Sequence, residues 1–170
     1  RHLPRPLRED IICPLDFLKV LATECDLIRI EGDRIEIQEQ GHHLLQKQIS
    51  LGLVRRVFEA AFSKVNPRIL TKLAHPWVHE QSGIVLWGLS ITGDMPRSAE
   101  VLTRYCFVPP QKFFDGTLKI LDIYMRSVFL QPLTWFGLLE TQNVEVGEAN
   151  EYGLLYKKAP LFDQFLQFDI

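Results

Sequence analysis

A chain of 170 residues with 46% apolar residues can build one compact domain or two small ones around a real core. No apolar run approaches the length needed to cross a bilayer, so no membrane partner is expected. The opening RHLPRPLRED has no apolar stretch of the secretory kind, and a start without Met points to a processed chain or a fragment. The net charge is −2 and unevenly spread: residues 1–46 carry six Lys/Arg against nine acids, residues 47–72 six against Glu59 alone, and residues 138–170 two against six. Such asymmetry bears on partners, not on fold. Cys13, Cys25 and Cys106 are an odd set without framework spacing. They fit small apolar core residues in a reducing, cytoplasmic setting.

In chain order, Pro4, Pro6 and Pro14 predict an irregular or extended start over residues 1–13. Pro14 can open a helix, with Leu15, Leu18, Leu21 and Cys25 on one face. After Asp26 the period changes to two. Ile28 and Ile30 alternate with Arg29 and Glu31, and Ile35 and Ile37 with Arg34, Glu36 and Gln38. This is a pair of strands with one buried face, joined by a Gly32-Asp33 turn. Gln40-Gly41 ends the second strand, and His42 to Gln48 starts another helix.

Ser50 to Val65 reads as an amphipathic helix with Val54, Phe58, Ala61 and Val65 in its stripe and Arg55, Arg56, Glu59 and Lys64 off it. Asn66-Pro67 breaks it, and Pro67 starts a helix over Arg68 to Ala74. Residues 79–92 predict a helix with Ile84, Trp87, Gly88 and Ile91 on one face. Gly93 to Pro96 is a turn, and Ser98 to Cys106 a short helix. Phe114, Leu118, Leu121, Met125 and Val128 mark a long helix buried on two sides. Pro132 to Phe136 is a helical turn ended by Gly137. Leu138 to Val146 and Tyr152 to Lys158 are strands about a loop at 147–150, and Pro160 to Gln167 is a final short helix. The end of the chain therefore repeats the beginning in kind: helix, strand, turn, strand, short helix.

The first segment resembles the winged-helix superfamily. More narrowly, it resembles the uncharacterised bacterial plasmid Ri open-reading-frame-three-like proteins, through Arg5-Pro6-Leu7-Arg8, Leu18…Leu21, Asp26-Leu27-Ile28-Arg29, Gly32 and Ile37…Gly41…Leu44-Leu45. Gln38 stands where that pattern has threonine. Pro132-Leu133…Gly137-Leu138-Leu139-Glu140 and Ala159-Pro160-Leu161-Phe162 look like the same family's second wing. The resemblance implies a helix-rich, winged-helix-like fold and no known activity. The expected fold class is α+β, mostly helical: two winged-helix-like units, each a helix plus a β-hairpin, joined by a helical middle. Expected boundaries are 1–78 for the first unit with its following basic helices and 79–170 for the second, or the whole as one compact domain.

Winged helices commonly place a helix in the DNA major groove and a wing on the backbone. Phosphate binding needs Lys and Arg. The first wing offers Arg29 and Arg34 among Glu31, Asp33, Glu36 and Glu39. The second is acidic, and the helix before it has only Lys119 and Arg126. The stronger nucleic-acid or anion candidates are Arg55, Arg56, Lys64, Arg68 and Lys72. The default reading of these residues is a solvated helix face, and they could also pair with acidic wings of the same chain or of a second copy. His75 and His79 have zinc-ligand spacing, but Pro76 lies between them and no third ligand is placed, so no metal is expected. No nucleophile elbow, phosphate loop or dinucleotide fingerprint is present. Cys13 has no placed base, and Trp77, Trp87 and Trp135 read as core. The function expected is a non-catalytic binding module without cofactor, acting through a protein partner or self-association. The alternative is a DNA-binding transcriptional regulator using residues 50–72 or a wing, and an enzyme stands third.

Overall fold

The change of period after Asp26 is realised as a helix that stops and a hairpin that starts. The computed structural model describes residues 9–46, 50–108, 118–146 and 151–168. The fold is α+β and mostly helical, with small antiparallel sheets. The chain forms two compact units, Arg1–Lys72 and Leu73–Ile170, so residues 73–78 go with the second. Among the described residues no helix is long and apolar enough to cross a membrane.

The first unit contains α1 (Glu9–Glu24), β1 (Ile28–Glu31), β2 (Arg34–Ile37), α2 (Glu39–Leu45), α3 (Leu51–Ser63) and a 3-10 turn, Pro67–Ile69. Helix α1 begins five residues before the expected opening at Pro14, which lies just past the first turn. There its missing donor costs one intrahelical bond and does not end the helix. Leu21 and Cys25 of the expected face are buried and Phe17 joins them, while Leu15 and Leu18 are exposed, so that half of the expected face is corrected. Leu15 and Leu18 satisfy the same period as Phe17 and Leu21, and the pattern alone cannot choose between them.

Gly32 sits at φ +59° in the turn, and the hairpin register pairs Ile28 with Ile37 and Ile30 with Ile35. Gly41 does not end β2; it lies inside α2. A Cβ there would collide with the Leu27 carbonyl, so glycine permits close approach. Ser50 caps α3 by accepting from the Leu53 N–H at 3.1 Å, and Phe58, Ala61, Phe62 and Val65 fill the unit's core. The helix expected at 68–74 is reduced to the 3-10 turn, entered through Asn66, whose side chain accepts from Arg68 N–H.

The second unit contains α4 (Trp77–Glu80), α5 (Ser82–Thr92), β3 (Arg97–Ser98), α6 (Ala99–Cys106), α7 (Leu118–Tyr124), a π-helical segment (Met125–Leu130), α8 (Gln131–Trp135), β4 (Leu139–Val146), β5 (Glu151–Lys158) and α9 (Pro160–Phe165). Sheet order is β3-β5-β4, all antiparallel. Helix α5 buries Val85, Leu86 and Leu89 and exposes Ile84, Trp87 and Ile91, so of the expected face only Gly88 is buried. Its sequence is apolar all round, so periodicity had little contrast to work on. Gly88 lets α6 approach: a Cβ there would lie 3.0 Å from the backbone and side chain of Cys106. Trp77 is buried as expected, edge-on to Phe107 and Tyr124, but Trp87 and Trp135 are each more than a third exposed. The π segment precedes Pro132, whose ring would crowd the Val128 carbonyl in a regular helix; the wider turn relieves this.

The two hairpins are launched by the same hydrogen bonds. Leu27 N–H returns to the Ala22 carbonyl and Asp26 N–H to Thr23; Leu138 N–H returns to Leu133 and Gly137 N–H to Thr134. Each is a left-handed helix cap, with Asp26 at φ 54° and Gly137 at φ 71°. The Thr23 hydroxyl donates to the Lys19 carbonyl and the Thr134 hydroxyl to Leu130. The returning strand closes both motifs alike: Gln38 N–H donates to the Leu27 carbonyl and Ala159 N–H to Leu138, each at 3.0 Å. Ile28, Ile30, Ile35 and Ile37 thereby correspond to Leu139, Thr141, Tyr156 and Lys158.

Lys158 shows what covers this face in the second unit. Its ammonium donates to the Ser90 carbonyl at 2.7 Å and meets Asp163 and Asp94 at 3.0 Å, while its backbone N–H donates to Gly93. Burial opposes the charge, but hydrogen bonds and the charges of Asp163 and Asp94 outweigh it and raise its pKa.

Two outcomes follow for denaturation experiments. Asp26→Gly removes a side chain from left-handed backbone and should stabilise the chain by about 0.5–1 kcal/mol. At Lys158 the loss should be asymmetric. Lys158→Met leaves two largely solvated carboxylates and should cost about 1 kcal/mol, whereas Asp94→Asn with Asp163→Asn strands a buried ammonium and should cost about 2 kcal/mol after allowing for solvent screening. Because the folded pKa exceeds the unfolded one, this stabilisation is complete below the ordinary lysine range and is lost as pH rises through the folded value. The gap in melting temperature between wild type and Lys158→Met should therefore narrow above about pH 10.5.

Candidate functional site

The basic residues are distributed over α3 and the turn after it. Arg55 pairs with Glu59 at 2.7 Å, and Arg56 donates to the Gln40 side chain at 2.5 Å. Lys64 caps the end of α3, Arg68 lies in the 3-10 turn and Lys72 follows; all three are exposed. Nine residues make two and a half helical turns, so Arg55 and Lys64 leave on opposite sides. Cys25 lies beneath this helix, its thiol 3.9 Å from the Arg56 carbonyl. Burial pushes its pKa up, and Arg56 and Lys64 only partly offset that. The thiol therefore stays protonated and acts as core.

The remaining sequence candidates are individually placed. Arg29 pairs with Glu31 at 2.7 Å and stands opposite Glu36, and Arg34 stands opposite Glu31. Arg126 pairs with Asp122 at 2.8 Å, and Lys119 is exposed on α7. His79 is half-buried, and burial lowers its pKa; His75 is exposed. Among the described residues no group of three His, Cys, Asp or Glu could hold a metal ion. The side chain of Cys13 lies outside what is described.

The most unusual surface is the first hairpin. Its polar face is self-neutralising through the cross-strand neighbours just named. Its apolar face is open. Ile28 and Ile30 are half-buried, but Ile35 is 60% and Ile37 44% exposed. The buried face expected of this hairpin is thus corrected: alternation reveals an apolar face, not whether the chain covers it. Of the corresponding residues Leu139, Tyr156 and Lys158 are buried and Thr141 is exposed, and β3 occupies the outer edge of β5. Among the described residues β1 and β2 form a sheet of two strands, leaving β2 as an edge strand.

A second feature lies between α8 and the second hairpin. A cleft of about 290 Å³ is lined by Arg126, Gln131, Thr134, Trp135, Thr141, Leu154 and Tyr156. Burial pushes the Tyr156 phenol up, with Arg126 opposing and Asp122 adding to the shift. Of these residues only Arg126 was singled out by sequence. Trp135 was hidden because an apolar neighbourhood resembles core, and Tyr156 because alternation does not show what stands over it. No family model, curated protein or solved structure matches this chain.

The contrast between the hairpins sets a stability expectation. Ile35→Lys and Ile37→Lys should each change the unfolding free energy by no more than about 0.5 kcal/mol, as for exposed sites, whereas Leu139→Lys should cost about 3 kcal/mol or more. Urea denaturation of the three variants measures this.

Proposed function

We propose that the chain is a non-catalytic binding module of two winged-helix-like units, acting through protein–protein contact at the isoleucine face of its first hairpin. One observation carries this reading: the same motif occurs twice, and positions buried in one copy, Leu139, Tyr156 and Lys158, are half-buried or exposed in the other, as Ile28, Ile35 and Ile37. Winged-helix character is supported by the second unit's order of helix, short strand, helices and hairpin, with sheet order β3-β5-β4. The duplex-binding alternative draws less support, because Arg29, Arg55 and Arg126 each have an acidic partner within the chain.

A photo-crosslinking residue placed at Ile35 in cells producing the chain should give a discrete protein adduct that the same residue at Arg104 does not. No adduct above that control would overturn the reading. Steeply salt-dependent affinity for duplex DNA that falls when Arg55 and Arg56 are both changed to Glu would replace it with the regulator reading.

A further inference from the structure

The second unit indicates which edge of the first hairpin is built to take another strand. There β3 lies against β5, with Arg97 opposite Tyr156, and among the described residues the far edge of β4 carries no strand. Tyr156 corresponds to Ile35, so β2 is the equivalent edge and Ile35 the equivalent position. In the first hairpin Glu31 and Arg34 close the two-residue turn. A closing pair of this kind directs its backbone groups inward, so the next residue, Ile35, turns its N–H and C=O to the open side.

The sequence of β2 is complementary to itself. Laid antiparallel against a copy with Ile35 at the centre, Arg34 falls opposite Glu36 and Glu36 opposite Arg34, while Ile35 meets Ile35. Opposite charges directly across a ladder stabilise it, and both Ile35 side chains, each 60% exposed here, would lose water. Of the usual edge protections β2 has shortness and charge but no proline, bulge or inward-pointing charge, and its two charges are complementary in a self-pair.

We propose that β2 is the seam of a two-fold dimer, in which a second copy of this chain adds its own β2 antiparallel, centred on Ile35, to make a four-stranded sheet. This inference rests on the protein-contact reading above and names one partner, which joins two isoleucine faces into one across four strands. The arrangement is isologous and closed, so it ends at two copies and does not grow into a filament through this edge. The seam is short, and its affinity is weak, on the order of micromolar or above.

Sedimentation velocity of the intact chain from about 1 μM to about 1 mM tests this. Wild type should pass from monomer to dimer. Arg34→Glu and Glu36→Arg each put like charges face to face at both ends of the seam and should each weaken dimerisation roughly ten-fold or more. An equimolar mixture of the two variants restores both complementary pairs and should sediment as a dimer at concentrations where neither variant alone does. A damaged hairpin could not produce that recovery on mixing. A wild type that stays monomeric throughout, or dimers indifferent to these substitutions, would overturn the seam. A monomeric wild type that still gives a foreign adduct at Ile35 overturns the dimer alone; a monomer with no adduct overturns the contact reading as well.

Discussion

Both hairpins depend on one backbone constraint: a helix must stop and send the chain back across its own end without leaving donors or acceptors stranded. A single residue at positive φ does this twice, Asp26 in one unit and Gly137 in the other. The leucine after it binds back to the helix with its N–H and receives the returning strand with its carbonyl. The units differ in what surrounds this shared start. The first hairpin has strands of four residues and the second has strands of eight. Among the described residues only the second is joined by a third strand.

The difference in cover has a chemical counterpart. Where the second unit places Lys158, the first places Ile37. A lysine can be buried there because a helix-end carbonyl, Ser90, and two carboxylates converge on it. An isoleucine needs no such convergence, only the removal of water, which any apolar surface can supply. The self-satisfied position is polar and specific, whereas the unsatisfied one is apolar and permissive. That asymmetry is the physical basis for assigning contact to the first unit.

Much of this architecture was legible in the sequence. Period-two spacing at Ile28–Ile37 and the Gly32 turn located the first hairpin, Ser50 marked the start of α3, and the kinship of the two ends was visible as an order of elements. Three things were not legible, each for a physical reason. Which apolar residues beside Leu21 face inward, Leu15 and Leu18 or Phe17, is decided by neighbours distant in sequence. The strand Arg97–Ser98 is too short to show a period. Whether a hairpin's apolar face is covered depends on chain arriving from elsewhere, and this hid both the openness of Ile35 and the burial of Lys158.

The π-helical segment also bears on how the cleft beside α8 is shaped. Widening the spiral over Met125–Leu130 turns the residues downstream of it about the axis relative to those upstream. Arg126, near its beginning, and Trp135, beyond its end, thus line one cavity. With an ordinary residue at 132 the helix would have no cause to loosen, and those two side chains would point apart. The indole wall of the cleft is held in place by a missing backbone hydrogen three residues away.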